Sequence, residues 1–477
     1  MGGLFEGASI QIGHNRYINI VRKQTLYKIA LSLFLGLGLK FMGVPMMETI
    51  IWVLTSLAIY VFISNLTRKI NFLDVTSLAA CISYLLMPLL VYNVFGEHNK
   101  LAALWHTYMT VERKDYFLLA LPATITLILG LWTPPLINAR ISDGELITRV
   151  RLYLSKRRIV GVLLFLTGIF SIPFVTLAPP SVQAIFYFGT QLTYVGAIYL
   201  LYSGNHLKLA TIVMILALMI AQAVITGMYG ELVYWSVMGV ILMLIGKTGF
   251  TFTYKVLILC LGIVMLFLIQ SIKHEYRAAV WKGAKRGNDP AVFFNLLADR
   301  IKHPEAIFGA ERIYKVVVRA NQGYLIGRAV EYVPKHEPFA NGETIIKSLW
   351  SAVVPRFLWN DKPRAGGQEN ICRFLGDCGH YNYSYNIGQL GEAYVNFGVV
   401  GAWIYMFLYG YLLTNLFGIV RYFSVRIPSL ILWTPILFYT AMIVETDLLT
   451  FINSFVKGVM FCAFCYFSFK LVLNVRL

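Results

Sequence analysis

VPRFLWNDKPRAGGQENICRFLGDCGHYNYSYNIGQLGEAYVNFGVVG, residues Val354 to Gly401, sets charge, Gly and Pro punctuation and aromatic side chains directly against a membrane-length apolar run. Its first part, VPRFLWNDKP, gathers Arg356, Asp361, Lys362 and Arg364 around Trp359 and Pro363, in a segment too punctuated to continue a helix. Cations are thereby held near a broad aromatic ring. Its last part, GQLGEAYVNFGVVG, carries a carboxylate into the apolar run. Glu392 and Asn396 are four residues apart and so share a helical face at the outer mouth of the following span, with Gly398 and Gly401 permitting close backbone approach.

Outward from this stretch, the chain is built for lipid. Its 477 residues are 58% hydrophobic and 13% charged, with a mean hydropathy of +0.67, which leaves too little polar surface for water to solvate a folded core. Apolar runs able to cross ~30 Å at ~1.5 Å per residue fall near 26–43, 46–66, 71–94, 115–138, 159–178, 181–203, 206–226, 230–247, 251–271, 392–417, 429–446 and 450–473. These predict an all-α, polytopic membrane protein of about twelve helices with one long extracytoplasmic loop. The chain divides into a bundle of about nine spans (1–271), a loop subdomain (272–388) and about three closing spans (389–477). No small-residue cleavage site follows the first run, so it is read as a retained span. Within the loop, helical patterning around Ala291 to Tyr314, broken at Pro304, and again around Tyr314 to Val330, predicts short amphipathic helices capping the bundle.

Lys and Arg in the short loops set the orientation. Arg16, Arg22, Lys23, Arg68, Lys69, Arg140, the Arg149–Arg158 cluster, Lys208, Lys247, Arg421, Arg426 and Arg476 fall on one side. Lys100, Arg113 and Lys114 fall on the other, offset by Glu97, Glu112 and Asp115. Both termini are therefore expected in the cytoplasm and Ser271 to Gly388 outside.

A net charge of +18 does not point to nucleic acid, because there is no lysine-rich tail and the basic residues sit in short loops between apolar runs. Anionic lipid heads and lipid-linked phosphates are the expected partners. No Walker A sequence is present, since Gly246, Lys247 and Thr248 match only its tail, and no metal-ligand spacing stands outside the spans. No cofactor and no metal are expected. Of six Cys, Cys81, Cys260, Cys462 and Cys465 read as apolar fillers within spans, whereas Cys372 and Cys378 face an oxidising compartment and are able to close a small loop or remain free.

The loop collects Lys273, Arg277, Arg312, Lys315, Arg319, Arg328, Arg356, Lys362, Arg364 and Arg373. Either they serve phosphate, whose oxygens match the planar guanidinium fork, or they are solvated partners for Glu275, Asp299, Glu305, Glu311 and Glu331. Glu392 is open to two readings, a structural cap or a general base for a sugar hydroxyl. Glu445 and Asp447 are expected to pair with Asn453 and Lys457 at neighbouring helix ends. His380, in GDCGHYNYSYN, is a surface histidine or a base among aromatics suited to sugar faces.

The combination PR-aromatic-Leu-Trp-x-x-Lys-Pro, then Gly-Glu-x-Tyr-x-Asn-Phe-Gly-x-x-Gly at a helix start, resembles the polysaccharide repeat-unit polymerases of the Wzy-type O-antigen polymerase group. Two departures are visible, Asn360 where the family pattern has Pro after Trp, and the insert bearing Cys372 and Cys378. The resemblance implies a glycosyltransferase of the bacterial inner membrane that polymerises polyprenyl-pyrophosphate-linked oligosaccharide repeats into O-antigen or exopolysaccharide on the extracytoplasmic face. It also implies a chain-length regulator and a flippase as partners. With that reaction in view, this reading of the residues makes Arg356, Glu392, Lys362 and His380 the catalytic candidates, and Arg277, Arg319, Trp359, Asp361, Arg364 and Asn396 the substrate-binding candidates. A ligase moving finished glycan onto a lipid core shares the same donor. A transporter of lipid-linked glycans would instead favour polar groups at mid-membrane and matching halves.

Overall fold

The computed structural model describes residues 28, 30, 32–105, 108–204, 213–214, 217, 219–221, 224, 229–247, 249–282, 290–354, 358–379, 385–473 and 477. Among the described residues the chain is all helical, with no strand. The helices that position the site are α1 (Met46–Asn65), α2 (Phe72–Val94), α3 (Arg113–Trp132), α4 (Arg158–Ser171), α5 (Pro180–Tyr202), α6 (Gly230–Leu244), α7 (Phe252–Lys282), α8 (Pro290–Lys302), α9 (Ala310–Ala320), α10 (Gly323–Tyr332), α11 (Glu343–Val353), α12 (Gln368–Leu375), α13 (Gly388–Ser424), α14 (Thr434–Met442) and α15 (Leu448–Leu473).

Seven of the described helices, α1, α2, α3, α5, α7, α13 and α15, are long and apolar enough to cross a membrane, and the chain is a membrane protein. Ser32–Phe41, α4, α6 and Pro428–Met442 are apolar but shorter. Each coincides with one of the runs read from the sequence. The run near 206–226 falls mostly outside the described residues.

Glycines set the two closest helix pairings, where no interior side chain would fit. A Cβ on Gly130 of α3 would lie 2.2 Å from the Phe407 carbonyl oxygen, and one on Gly410 of α13 would lie 2.5 Å from that of Leu127. Across this seam the Thr414 hydroxyl donates to Leu131 O at 3.0 Å. Gly168 of α4 and Gly196 of α5 bring their helices together in the same way, with Cβ positions 2.2 Å from Thr193 N and 2.4 Å from Phe165 N. Small residues at a lipid-embedded interface let backbones approach and gain dispersion where no hydrophobic effect drives association.

The segment expected as one long loop is built of short helices. α8, a 3₁₀ turn at Pro304–Ala306, α9 and α10 follow the expected amphipathic pattern, although the break after α9 falls at Asn321 rather than within a continuous helix to Val330. α11 and α12 were not expected. This polar layer is seated on α2, whose π-helical turn Cys81–Leu86 frees backbone carbonyls from their usual partners. Gln322 N–H donates to Ser83 O at 3.2 Å, the Tyr116 hydroxyl to Tyr84 O at 2.9 Å, and the Tyr84 hydroxyl to Val444 O at 2.7 Å.

α13 is interrupted at Gly398, which has φ 66° and ψ −166°. That conformation is open essentially to glycine alone. Its consequence for hydrogen bonding is immediate, since Ala340 N–H takes Val395 O at 2.9 Å and Asn341 N–H takes Asn396 O at 3.1 Å. Gly398 therefore breaks the helix rather than serving close approach. Gly401 does not serve it either, because a Cβ there would meet Phe397 Cβ of its own helix at 2.3 Å.

Candidate functional site

The first turns of α13, the N-terminus of α15 and the start of α11 meet in one buried polar knot. Glu392 and Asn396 share a face, as their spacing predicts, but that face is closed, with both residues 0% exposed. Thr344 of α11 donates its hydroxyl to Glu392 Oε1 at 2.9 Å, and the Leu448 N–H donates to Glu392 Oε2 at 2.7 Å. Asn396 Nδ2 donates to Thr344 Oγ1 at 2.7 Å and to Glu392 O at 2.8 Å, while its Oδ1 accepts the Gly342 N–H at 3.0 Å. Every polar atom of the two side chains thus has a partner. One turn before Glu392, Gln389 accepts the Tyr405 hydroxyl at 2.9 Å.

Asp447 closes the knot as the N-cap of α15. It is fully buried, accepts the Thr450 N–H at 2.9 Å and receives a long contact from Asn370 of α12 at 3.5 Å. Burial pushes its carboxyl above the ordinary range, with the Thr450 donors acting against the shift. The expected pairing of Glu445 and Asp447 with Asn453 and Lys457 is not what the fold makes. A carboxylate directly before a helix is better placed to satisfy that helix's own free N–H groups. Glu445 instead pairs with Arg319 of α9 at 2.6 Å, and Asn453 donates to Ser351 of α11 at 3.1 Å.

The cations of the polar segment sort by their partners. Arg312 pairs with Glu275, Lys315 with Glu311, Arg328 with Asp377, and Arg373 bridges Glu337 and Glu343. Hydrogen bonds from Lys347 and Arg373 hold the Glu343 carboxyl below its ordinary range. Much of the basic surface therefore serves the subdomain's own acids. Lys273 and Arg277 of α7 and Arg319 of α9 form a different group, close enough to one another to interact electrostatically. Three cations together are able to hold a phosphate with good geometry.

The sequence candidates therefore separate. Glu392 and Asn396 stand together in the knot, and Arg277 and Arg319 stand together with Lys273, Arg319 being paired with Glu445. Trp359 is half-buried and Asp361 and Arg364 are exposed; Lys362 donates to Val354 O at 2.9 Å, and the Arg364 N–H approaches Glu369 Oε1 at 3.3 Å. Arg356 and His380 lie outside the described residues. Cys372 and Cys378 are joined in a disulfide with a Cα–Cα distance of 4.3 Å. Thr344 was missed, since a threonine on an amphipathic helix has no sequence signature. Among the described residues, no group of three or more His, Cys, Asp or Glu is arranged to hold a metal ion.

A family model described as "Domain of unknown function (DUF8712)" matches residues 147–419, more than half of the chain, and the chain belongs to that family. No curated protein and no solved structure matches it.

Proposed function

We propose that this DUF8712 chain is a membrane glycosyltransferase that joins polyprenyl-pyrophosphate-linked oligosaccharide repeats into a surface polysaccharide. In this reading it crosses the bacterial cytoplasmic membrane twelve times, with both termini inside and the 272–388 layer outside. The observation that carries it is the placement of the motif residues. Glu392 and Asn396, which carry the resemblance to O-antigen polymerases, lie in one buried knot, and the Lys273, Arg277 and Arg319 group meets Glu445, two residues before the knot's Asp447.

The reaction divides into three needs. An acceptor sugar hydroxyl attacks the anomeric carbon of the donor, the bond from that carbon to the pyrophosphate oxygen breaks, and the lipid pyrophosphate leaves with the electron pair. Arg356 and Lys362 are assigned to the leaving pyrophosphate, where preorganised cations act on charge that develops in the transition state. Arg277 and Arg319 hold the donor before reaction, and Trp359, Asp361 and Arg364 line the sugar path. His380 is assigned the hydroxyl proton, because both oxygens of Glu392 already accept hydrogen bonds and the reading makes Glu392 and Asn396 the brace of the site. The donor bond supplies the energy, so no nucleotide is required. A flippase that delivers donor and a regulator of chain length are the implied partners.

One observation favours a second reading, a transporter of lipid-linked glycans. Glu392 and Asp447 are both fully buried where α13, itself interrupted at Gly398, meets the turn between α14 and α15, and broken helices with buried acids suit ion-coupled transport. The test is the purified protein in vesicles given lipid-pyrophosphate repeats. A ladder of glycan lengths supports the polymerase, and a single transfer to a different acceptor indicates a ligase. Movement of the lipid across the vesicle without new glycosidic bonds indicates the transporter.

A further inference from the structure

Within the polar layer, α11 is turned inside out. Its neighbours bury apolar side chains, Tyr314 and Val317 in α9 and Ile371, Phe374 and Leu375 in α12, as amphipathic helices in water do. α11 buries Thr344, Ser348 and Ser351 instead, and leaves Ile346, Leu349, Trp350 and Val353 between 49% and 74% exposed. Those four stand at i, i+3, i+4 and i+7, so they form one apolar stripe down the helix. The buried side is polar because it serves the knot. Thr344 donates to Glu392 at 2.9 Å, and Asn453 of α15 donates to Ser351 at 3.1 Å. A helix with its polar side inward and its apolar side outward suits hydrocarbon as its surroundings and not water.

The course of α11 agrees. Thr344 and the Leu448 N–H meet at Glu392, and two turns on Ser351 meets Asn453, so α11 runs beside the first turns of α15 and in the same direction. Gly342, at its head, lies against α13, where a Cβ would stand 3.4 Å from the Phe397 ring. Beyond Phe397, Val400 and Ile404 are exposed on α13, which like α15 is long and apolar enough to cross a membrane, so α11 enters beside surface that lipid covers. Charge follows the same gradient. Glu343 and Lys347 occupy the first turns and pair with each other, the lysine reaching back toward the head of the helix, and the SLWSAV that follows carries no charge. Lys457, exposed on α15 one turn past Asn453, limits the depth, because its stem reaches the headgroups only from the upper acyl region. Trp350 suits that level. The stripe measures roughly 15 Å by 10 Å, about 150 Å², whereas a specific protein partner buries about 800 Å² on each side. Lipid needs no such area.

We propose that α11 inserts this stripe among the upper acyl chains of the leaflet beneath the polar layer, and so anchors the layer to the bilayer while its opposite face holds Glu392. Lipid contact and the knot then share one helix, whatever reaction the site performs.

Spin labels in phosphatidylcholine vesicles test it, on the full chain with Cys81, Cys260, Cys462 and Cys465 replaced by Ala and the disulfide kept. Labels at Leu349→Cys and Val353→Cys are expected to collide more with oxygen, which concentrates in hydrocarbon, than with a water-soluble nickel chelate. A label at the exposed Lys335→Cys is expected to do the reverse. The unaltered chain gives a second reading, with phosphatidylcholine that carries a diazirine in its upper acyl chain. Adducts are expected on Leu349, Trp350 and Val353 and none on Lys335. Nickel-dominated collisions at positions 349 and 353, or an α11 free of adducts, overturn the proposal. So does dipolar broadening between labels at Val353→Cys, which would put a second copy of the chain on the stripe.

Discussion

Gln at position 392 keeps the shape of the side chain and an oxygen for the Leu448 N–H, while its amide donates to Thr344, whose hydroxyl oxygen has a second acceptor site. Glu392→Gln is therefore expected to keep membrane abundance and polymer formation within a few-fold of the parent. Glu392→Ala strands a buried N–H and a buried hydroxyl at about 1–3 kcal/mol each, and is expected to lower the midpoint of thermal unfolding in detergent. If Gln abolishes turnover in a folded protein, Glu392 is a base and not a brace. Arg356→Lys keeps the charge and removes the planar fork, so a pyrophosphate role predicts a loss of about 2–4 kcal/mol of transition-state stabilisation in the ladder assay. At this scale the sequence revealed half of the knot. Glu392 and Asn396 are legible because helical spacing is local. Thr344 and the Leu448 N–H lie far off in the chain, and no local pattern announces which distant group will meet a buried carboxylate.

Among elements, the apolar runs were legible because the bilayer sets the length of a span, and hydropathy read over that length finds α1, α2, α3, α5, α7, α13 and α15. The break in α13 was not, because a glycine in a span is equally compatible with close packing, kinking or neither. What decides it is the pair of N–H groups at Ala340 and Asn341, which takes the released carbonyls. Gly398→Ala meets no crowding, since the nearest atom to its Cβ is Phe339 Cζ at 3.6 Å, so its cost is conformational, about 1–3 kcal/mol. Gly410→Val forces side-chain atoms against the α3 backbone and is expected to lose more, separating α3 from α13. Thermal unfolding of the two variants in one detergent checks the order.

Across the whole molecule, the expected orientation rests on loop charge, and the disulfide offers a route to test it. In a chain whose Cys81, Cys260, Cys462 and Cys465 are replaced by Ala, Cys372 and Cys378 are expected to resist a membrane-impermeant maleimide on intact cells. Both should label after an impermeant reductant. Labelling only after the cells are permeabilised would reverse the topology and remove the extracytoplasmic reaction. The helical polar layer was half-legible for the same reason that the knot was. α8 to α10 show amphipathic periods; α11 and α12 are amphipathic too, but they are short and begin or end at Gly342, Gly367 and Gly376, punctuation that reads as loop.

The Leu448 N–H that holds Glu392 belongs to a helix that leaves the ribosome after α13, and the Thr344 that shares the task was made about a hundred residues earlier. During synthesis the carboxylate enters the bilayer well before its final partner exists. The nascent protein thus passes through a stage in which an acid sits at the bilayer with one oxygen unserved, and only the arrival of α15 ends it. A chain cut short before Leu448 would carry that acid with one oxygen unserved.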